Sequence, residues 1–96
     1  MKGKLLKPDG QVQEIEPLNG ETFSLEELYR LLDCELIEIV HLHASDDLLV
    51  IDEEGKFAQC PEFNRTATEI ARKHRAIVQY DYIVGKALLC NSDMIE

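Results

Sequence analysis

Short apolar runs separated by turn residues characterise the N-terminal part of the chain. Residues 4–7 and 11–16 have the form of two short strands around a turn. Pro8 presets φ at the first central position of a β-turn, and Gly10 accepts a positive φ after it. The pattern therefore predicts a β-hairpin at the start of the chain.

The middle of the chain continues with strand-like runs. Residues 36–43 are rich in Ile and Val and have no cleanly polar face, which predicts a central strand covered on both sides. Residues 48–51 predict the next strand. The acidic pair before Gly55 predicts a hairpin turn with glycine at the left-handed position, and residues 56–60 would return as the partner strand.

The first helix has the clearest local signal. Ser24 and Glu27 have capping-box spacing, in which each side chain accepts a hydrogen bond from a free backbone N–H of the other residue. Phe23, before the cap, lies opposite Leu28 as a hydrophobic staple. These residues and the apolar spacing after them predict a helix over residues 25–33.

A second helix is predicted to begin near residues 64–66, because Pro61 stops the preceding run and both Asn64 and Thr66 are suitable caps. Basic residues then gather where the helix dipole favours them, in the last turn. Residues 76–80 and 86–90 predict two further strands. We expect residues 91–96 to be a frayed tail.

Together these elements predict an α+β fold, a mainly antiparallel sheet of five to six strands with two helices packed against it. A chain of 96 residues is long enough for a single domain over residues 1–96 and too short for two. A domain of this size buries a modest share of its surface, so a homodimer would provide additional stability and stays an open alternative.

The charge is strongly acidic and unevenly placed. The formal net charge is −9. The span from Glu14 to Glu54 contains thirteen acidic residues and a single lysine or arginine, Arg30. Direct binding to nucleic acid or to an anionic membrane needs a basic surface, so this composition argues against both. Two interpretations of the acidic span stay open: a solvated surface, or an imitation of the phosphates of nucleic acid.

Cysteine usage bears on the compartment. Cys34, Cys60 and Cys90 are odd in number and have no CxxC spacing, so a disulfide framework is not expected. The N-terminus has no apolar h-region, and no run reaches the ~18 residues that a bilayer span needs. We therefore expect a cytoplasmic protein.

His41 and His43 form the sharpest chemical feature. Residues two apart on a strand project from one face, where two imidazoles can share a metal ion. Asp46, Asp47 or Cys60 would have to supply further ligands. The alternative is a solvated or interfacial pair of histidines on the sheet.

Asn64 and Arg65 are the second candidate site. At a helix start they could bind an anionic ligand together with free backbone N–H groups. The alternative is that Asn64 caps the helix while Arg65 pairs with carboxylates. No catalytic residue is predicted, and the glycines match neither nucleotide-binding fingerprint, so no cofactor is expected.

Three segments carry a resemblance: residues 37–52, residues 61–68 with their Pro-Glu-Phe-Asn-Arg run, and residues 81–87 with Asp-Tyr-Ile-Val-Gly. In these the chain resembles a family of small domains of unknown function. That family is encoded largely by bacteriophages, integrative conjugative elements and their gut-bacterial hosts. The resemblance implies an accessory protein of a mobile element and no known catalytic residues.

Three interpretations of function follow. The first is a non-enzymatic binding module that engages an unidentified host protein or a small ligand beside the second helix. The second is an acidic nucleic-acid mimic that inhibits a DNA-acting host enzyme. The third is a metal-binding protein that uses the two histidines of the strand.

Overall fold

A computed structural model of the chain describes residues 2–95. It shows a five-stranded antiparallel sheet with two α-helices, which confirms the predicted α+β class. In chain order the elements are β1 (Gly3–Leu6), β2 (Val12–Ile15), α1 (Leu25–Leu32), β3 (Ile37–His41), β4 (Asp47–Asp52), a 3-10 turn (Gly55–Phe57), α2 (Arg65–Lys73), β5 (Ala87–Asn91) and a second 3-10 turn (Ser92–Met94).

The strand order is β2-β1-β5-β4-β3, so the last strand of the chain occupies the centre of the sheet. β5 pairs with β1 on one side and with β4 on the other. The β1–β2 and β3–β4 hairpins are therefore joined into one sheet only when β5 is inserted between them.

The two helices cover opposite faces of the sheet, which gives three layers. Alternate residues of β5 divide between two cores: Leu88 and Cys90 pack on the α1 side, and Ala87 packs on the α2 side. The core on the α1 side contains Leu5, Phe23, Leu28, Leu32, Leu48, Val50, Leu88, Cys90 and Met94. The core on the α2 side contains Leu6, Val40, Leu42, Leu49, Ala67, Ala71, Ile83 and Ala87.

The start of α1 confirms the predicted capping box. Ser24 Oγ accepts a hydrogen bond from Glu27 N at 3.2 Å, and Glu27 Oε1 accepts one from Ser24 N at 3.1 Å. The other carboxylate oxygen of Glu27 accepts from Leu18 N at 2.9 Å. This bond from Leu18, followed by that from Ser24, lowers the pKa of Glu27, because both stabilise the charged form.

Two predictions about pairing are wrong. β3 is an edge strand and not a central one, because within residues 2–95 it pairs with β4 alone. Residues 56–60 do not return as a strand, because both sides of β4 are already paired with β3 and β5. The chain instead forms a 3-10 turn that begins at Gly55. Gly55 does not have the predicted left-handed φ. It packs so closely against Val84 that a Cβ atom at this position would lie 2.8 Å from Val84 Cγ2.

The strand predicted for residues 76–80 is also absent. Ala76 N donates to Ala71 O at 2.8 Å, which closes the end of α2, and Asp81 N donates to Val78 O at 3.0 Å in a turn. Because these backbone groups bond locally, they are not available for pairing with another strand. No helix within residues 2–95 combines the length and the apolar character that crossing a bilayer demands.

The expected frayed tail is wrong for the described residues up to Ile95. Asn91 ends β5, and Met94 is 1% exposed within the core on the α1 side. Its carbonyl accepts a hydrogen bond from Phe23 N at 2.7 Å, and Ile95 forms a bridge with Phe23. Residues 92–95 are therefore part of the fold, while Glu96 lies outside the described residues.

Candidate functional site

Asn64 is buried and acts as the cap of α2. Its Oδ1 accepts from Ala67 N at 3.0 Å, and its Nδ2 donates to Leu6 O at 3.0 Å and to Gly85 O at 2.8 Å. The amide thus joins the start of α2 to β1 and to the entry of β5. Every polar atom of this side chain has a partner inside the protein, which leaves none for a ligand.

Arg65 lies at the first position of α2 with its side chain exposed. Its Nε donates to Glu69 Oε1 at 2.9 Å, one helical turn further on. An exposed pair of this kind contributes little to stability. Asn64 thus caps the helix and Arg65 pairs with a carboxylate, which is the alternative to a ligand site for both residues. Ligand binding by Arg65 stays a prediction.

His41 and His43 do not share one strand. β3 ends at His41, and Ala44 adopts a left-handed φ of 61°, so the two-residue period does not extend to His43. His43 instead lies against the end of α2: its N donates to His74 O at 3.2 Å.

An open cavity of about 250 Å³ at this place is lined by His43, Ala44, Lys73, His74 and Arg75. The two cationic side chains, Lys73 and Arg75, disfavour a metal cation there. Among residues 2–95 no group of three or more His, Cys, Asp and Glu side chains is arranged to hold a metal ion. A site built on His41 and His43 stays a prediction that would need ligands from outside this part of the chain.

The acidic span surrounds the sheet. Glu14 lies on β2 and Glu38 on β3, the two opposite edges, while Glu26 and Glu27 lie on the helix that covers one face. Glu38 is on the other face, since it alternates with Ile37 and shares a side with Val40. The nucleic-acid mimic, which needs carboxylates in a continuous array, stays a prediction.

A cleft lies on the α2 side of β3 and β4, beside the segment of residues 77–84, and has a volume of about 120 Å³. Its floor is aliphatic and its rim is mainly acidic. The aliphatic side chains are Val40, Ile51, Ile77, Ile83 and Val84. The charged ones are Glu38, Asp52, Glu53 and Asp81, with Lys56 as the single cation; Tyr82 completes the lining. We call this concavity the acidic cleft.

One wall of the acidic cleft is held by an ion pair. Lys56 Nζ donates to Asp81 Oδ1, and Tyr82 N donates to the same oxygen at 2.8 Å. The bond from Lys56, then that from Tyr82, lowers the pKa of Asp81. Lys56 Nζ also lies 4.5 Å from the centre of the Tyr82 ring, a cation–π contact. The pair connects the 3-10 turn at Gly55 to the segment of residues 80–84.

Four of the six aromatic side chains are exposed, and all four are linked to this ion pair by adjacency in sequence or by a ring contact. Phe57 and Tyr80 are each 86% exposed, Phe63 is 50% and Tyr82 is 43%. The rings of Phe63 and Tyr82 are 6.3 Å apart, and Phe57 and Tyr80 directly adjoin Lys56 and Asp81 in sequence. We call these four residues the aromatic surface; it shares Tyr82 with the acidic cleft.

None of the four residues of the aromatic surface is among the candidate sites that the sequence predicts. A usable signal was present for Phe63, Tyr80 and Tyr82, each of which stands next to an acidic residue. Phe57 and Tyr80 belonged to runs that were predicted as strands, and this prediction gave them a place in the sheet. What the pattern did not contain was the pairing of Phe63 with Val84, which brings two distant segments together.

The three cysteines differ in exposure, which predicts their reactivity. Cys60 is exposed, while burial, then the Asp47 carboxylate, raises the pKa of Cys90 to about 11. At pH 8 about 0.1% of Cys90 would be thiolate, the reactive form. Burial, and then Asp52, also raises the pKa of Cys34. We expect iodoacetamide to alkylate Cys60 first and Cys90 last, as followed by mass spectrometry of the native protein.

The control for this experiment is the same reaction in guanidinium chloride, where the three thiols should react at similar rates. Cys60→Ser should remove the fast phase and leave the slow ones unchanged. Rapid alkylation of Cys90 in the native protein would contradict the burial of β5.

The fold described above is that of a small three-layer α+β domain with an exposed aromatic surface. The chain belongs to the family described as domain of unknown function (DUF3846), whose family model matches residues 1–95. This membership confirms that the chain is a small domain of unknown function. No curated protein and no solved structure matches it.

Proposed function

We propose that this domain is a non-enzymatic protein-binding module that holds a basic, apolar segment of a partner protein on the aromatic surface and in the acidic cleft. The observation that carries the proposal is the exposure of four aromatic side chains, Phe57, Phe63, Tyr80 and Tyr82, on or in contact with the two segments that one ion pair joins. Phe57 and Tyr80, each 86% exposed, contribute little packing to this fold.

The residue types fit a protein interface. Tyrosine and phenylalanine are enriched in the cores of interfaces, where a few aromatic anchors carry most of the binding energy. A tyrosine offers a large apolar face and one hydroxyl that can stay hydrated at the rim. The tilted contact between Phe63 and Tyr82 holds part of the surface in place before a partner arrives.

The size of the acidic cleft favours a macromolecular partner over a metabolite. At about 120 Å³ it is smaller than the ~300–1,000 Å³ of sites that bury small molecules. A single side chain of a partner is of suitable size. The aliphatic floor and the acidic rim match lysine or arginine, whose carbon stem contacts apolar groups while its charged end meets carboxylates.

The overall charge is consistent with this choice of partner. A net charge of −9 favours association with basic protein surfaces and disfavours direct contact with nucleic acid. We place the interaction in the cytoplasm of a host cell, in keeping with the mobile-element origin that the family resemblance implies.

Binding is tested with labelled peptides of three kinds, basic-aliphatic, neutral-aliphatic and acidic-aliphatic, by fluorescence anisotropy. The proposal expects the basic peptides to bind and the acidic ones not to. Phe57→Ala and Tyr80→Ala should each weaken binding about tenfold or more, as loss of an interface anchor costs over ~1.4 kcal/mol. Both side chains are 86% exposed, so these variants should keep wild-type stability.

Leu18→Ala is the matched control, because Leu18 is a large apolar side chain that is 80% exposed but lies before α1, away from the aromatic surface. It should bind the basic peptides as the wild type does. Failure of all basic peptides to bind, or equal affinity in Phe57→Ala and the wild type, would reject the proposal.

A further inference from the structure

The open edge of β3 has a fixed set of unpaired backbone groups. Leu36 O accepts from Glu53 N at 3.1 Å, and Leu42 N donates to Asp47 O at 3.2 Å. In an antiparallel pair the hydrogen-bonding direction alternates, so even-numbered residues of β3 bond to β4. The N–H and C=O groups of Ile37, Ile39 and His41 therefore face away from the sheet, and they bond to no group within residues 2–95.

This edge lacks most of the features that protect edge strands. Residues 37–41 contain no proline and no lysine, and their pairing with β4 is continuous without a bulge. The opposite edge differs, since β2 is followed by Pro17, whereas each of the two edge strands carries one glutamate, Glu14 on β2 and Glu38 on β3. Ile39 is 37% exposed and Leu36 is 46% exposed, so the β3 edge also presents apolar side chains.

We propose that the β3 edge pairs with the β3 edge of a second copy of this chain, antiparallel and centred on Ile39. Only residues that face outward can bond across the new interface, and these are the odd-numbered ones. With the centre at Ile39, Ile39 lies opposite Ile39 of the other copy, Ile37 lies opposite His41, and His41 lies opposite Ile37. Each of these three pairs exchanges two backbone hydrogen bonds. A centre at Ile37 or at His41 would give fewer pairs within β3.

The side chains of β3 are complementary to themselves in this register. Glu38 lies opposite Val40 of the other copy, so that no two carboxylates oppose one another. Between residues 37 and 41 the β3 edge carries one acidic residue, a low charge in a protein whose net charge is −9. These features favour a second copy over an unrelated strand.

The two-fold axis of such a pair is perpendicular to the sheet, so both α2 helices lie on the same face of a ten-stranded sheet. The two acidic clefts, each lined by Glu38 and Val40, then flank the axis. Two linked binding sites raise avidity for a partner with repeated basic segments. The pairing itself does not depend on the proposed function and can fail or stand alone.

The register is tested by charge complementation at Ile39, the one position that faces itself. We expect the wild-type chain to form dimers in sedimentation velocity experiments. Ile39→Lys and Ile39→Glu should each weaken dimerisation at least tenfold, because like charges would lie directly opposite. An equimolar mixture of the two variants should recover a dimer, which native mass spectrometry identifies as the mixed species.

Val12→Lys is the matched control, since Val12 is an exposed apolar residue on the other edge of the sheet. It should dimerise as the wild type does, and circular dichroism should show all four chains folded. A wild-type chain that is monomeric at every concentration overturns the proposal. So does a dimer that survives Ile39→Lys, or a mixture that stays monomeric.

Discussion

Asn64→Asp should destabilise the domain by about 3–5 kcal/mol, the cost of a buried charge without a compensating partner. The Nδ2 group of Asn64 donates to Leu6 O and Gly85 O, and a carboxylate would oppose both carbonyl oxygens. The cap itself would persist, since either side chain offers an oxygen to Ala67 N. The loss would therefore report on the two donated bonds.

The measurement is urea denaturation at neutral and at acidic pH. Burial favours the neutral carboxyl, so its pKa in the folded variant should lie above the unfolded value, and the deficit should shrink as the pH falls. Thr66→Ala is the control: Thr66 was the competing cap in the sequence, and its removal should change stability by less than about 0.5 kcal/mol. Equal losses in both variants would contradict the assignment of Asn64.

The local signals of the sequence were sufficient where a short segment decides its own structure. The capping box at Ser24 and Glu27 is one example, because both partners lie within one helical turn. The role of Asn64 could be predicted only in part. Asparagine before a helix indicates a cap, but the bonds of Asn64 to Leu6 and Gly85 join segments that are 58 and 21 residues away. No periodicity within α2 contains that information.

The order of the strands could not be predicted from the sequence, because it too depends on contacts between distant segments. Residues 36–43 are apolar on both sides, which is typical of a central strand, yet β3 lies at the edge. Its faces are covered in part by the chain segments packed there, such as the one that contains Ile77 and Ile83. The central place belongs to β5, whose pattern does not distinguish it from its neighbours. Which strand pairs with which depends on the packing of the whole chain.

The buried face of α2 connects the fold to the proposed binding surface. Thr68 Oγ1 accepts from Ile83 N at 2.9 Å. Arg72 donates from Nε and Nη2 to Asp81 O at 3.1 and 2.7 Å. These bonds hold the segment that carries Tyr80 and Tyr82 against the helix. In the proposed complex, the backbone that carries Tyr80 and Tyr82 would already be ordered, which lowers the entropic cost of holding a partner.

Met94→Ala is expected to cost about 2–4 kcal/mol in urea denaturation, as for other buried large-to-small substitutions. Met94 is 1% exposed and packs with Phe23 in the core on the α1 side. The substitution keeps the backbone bond from Phe23 N to Met94 O, so it measures the side chain alone. Asp93→Ala, at an exposed neighbour, should change stability by less than about 0.5 kcal/mol.

Truncation after Asn91 separates the remaining contribution of this segment. It removes the Met94 side chain, the 2.7 Å bond from Phe23 N and the bridge between Phe23 and Ile95. The loss should therefore exceed that of Met94→Ala by about 1 kcal/mol or more, the usual net value of a hydrogen bond. A truncated chain as stable as the wild type would mean that residues 92–95 are frayed in solution. Because β5 lies in the centre of the sheet, a segment that secures its end acts on both hairpins at once.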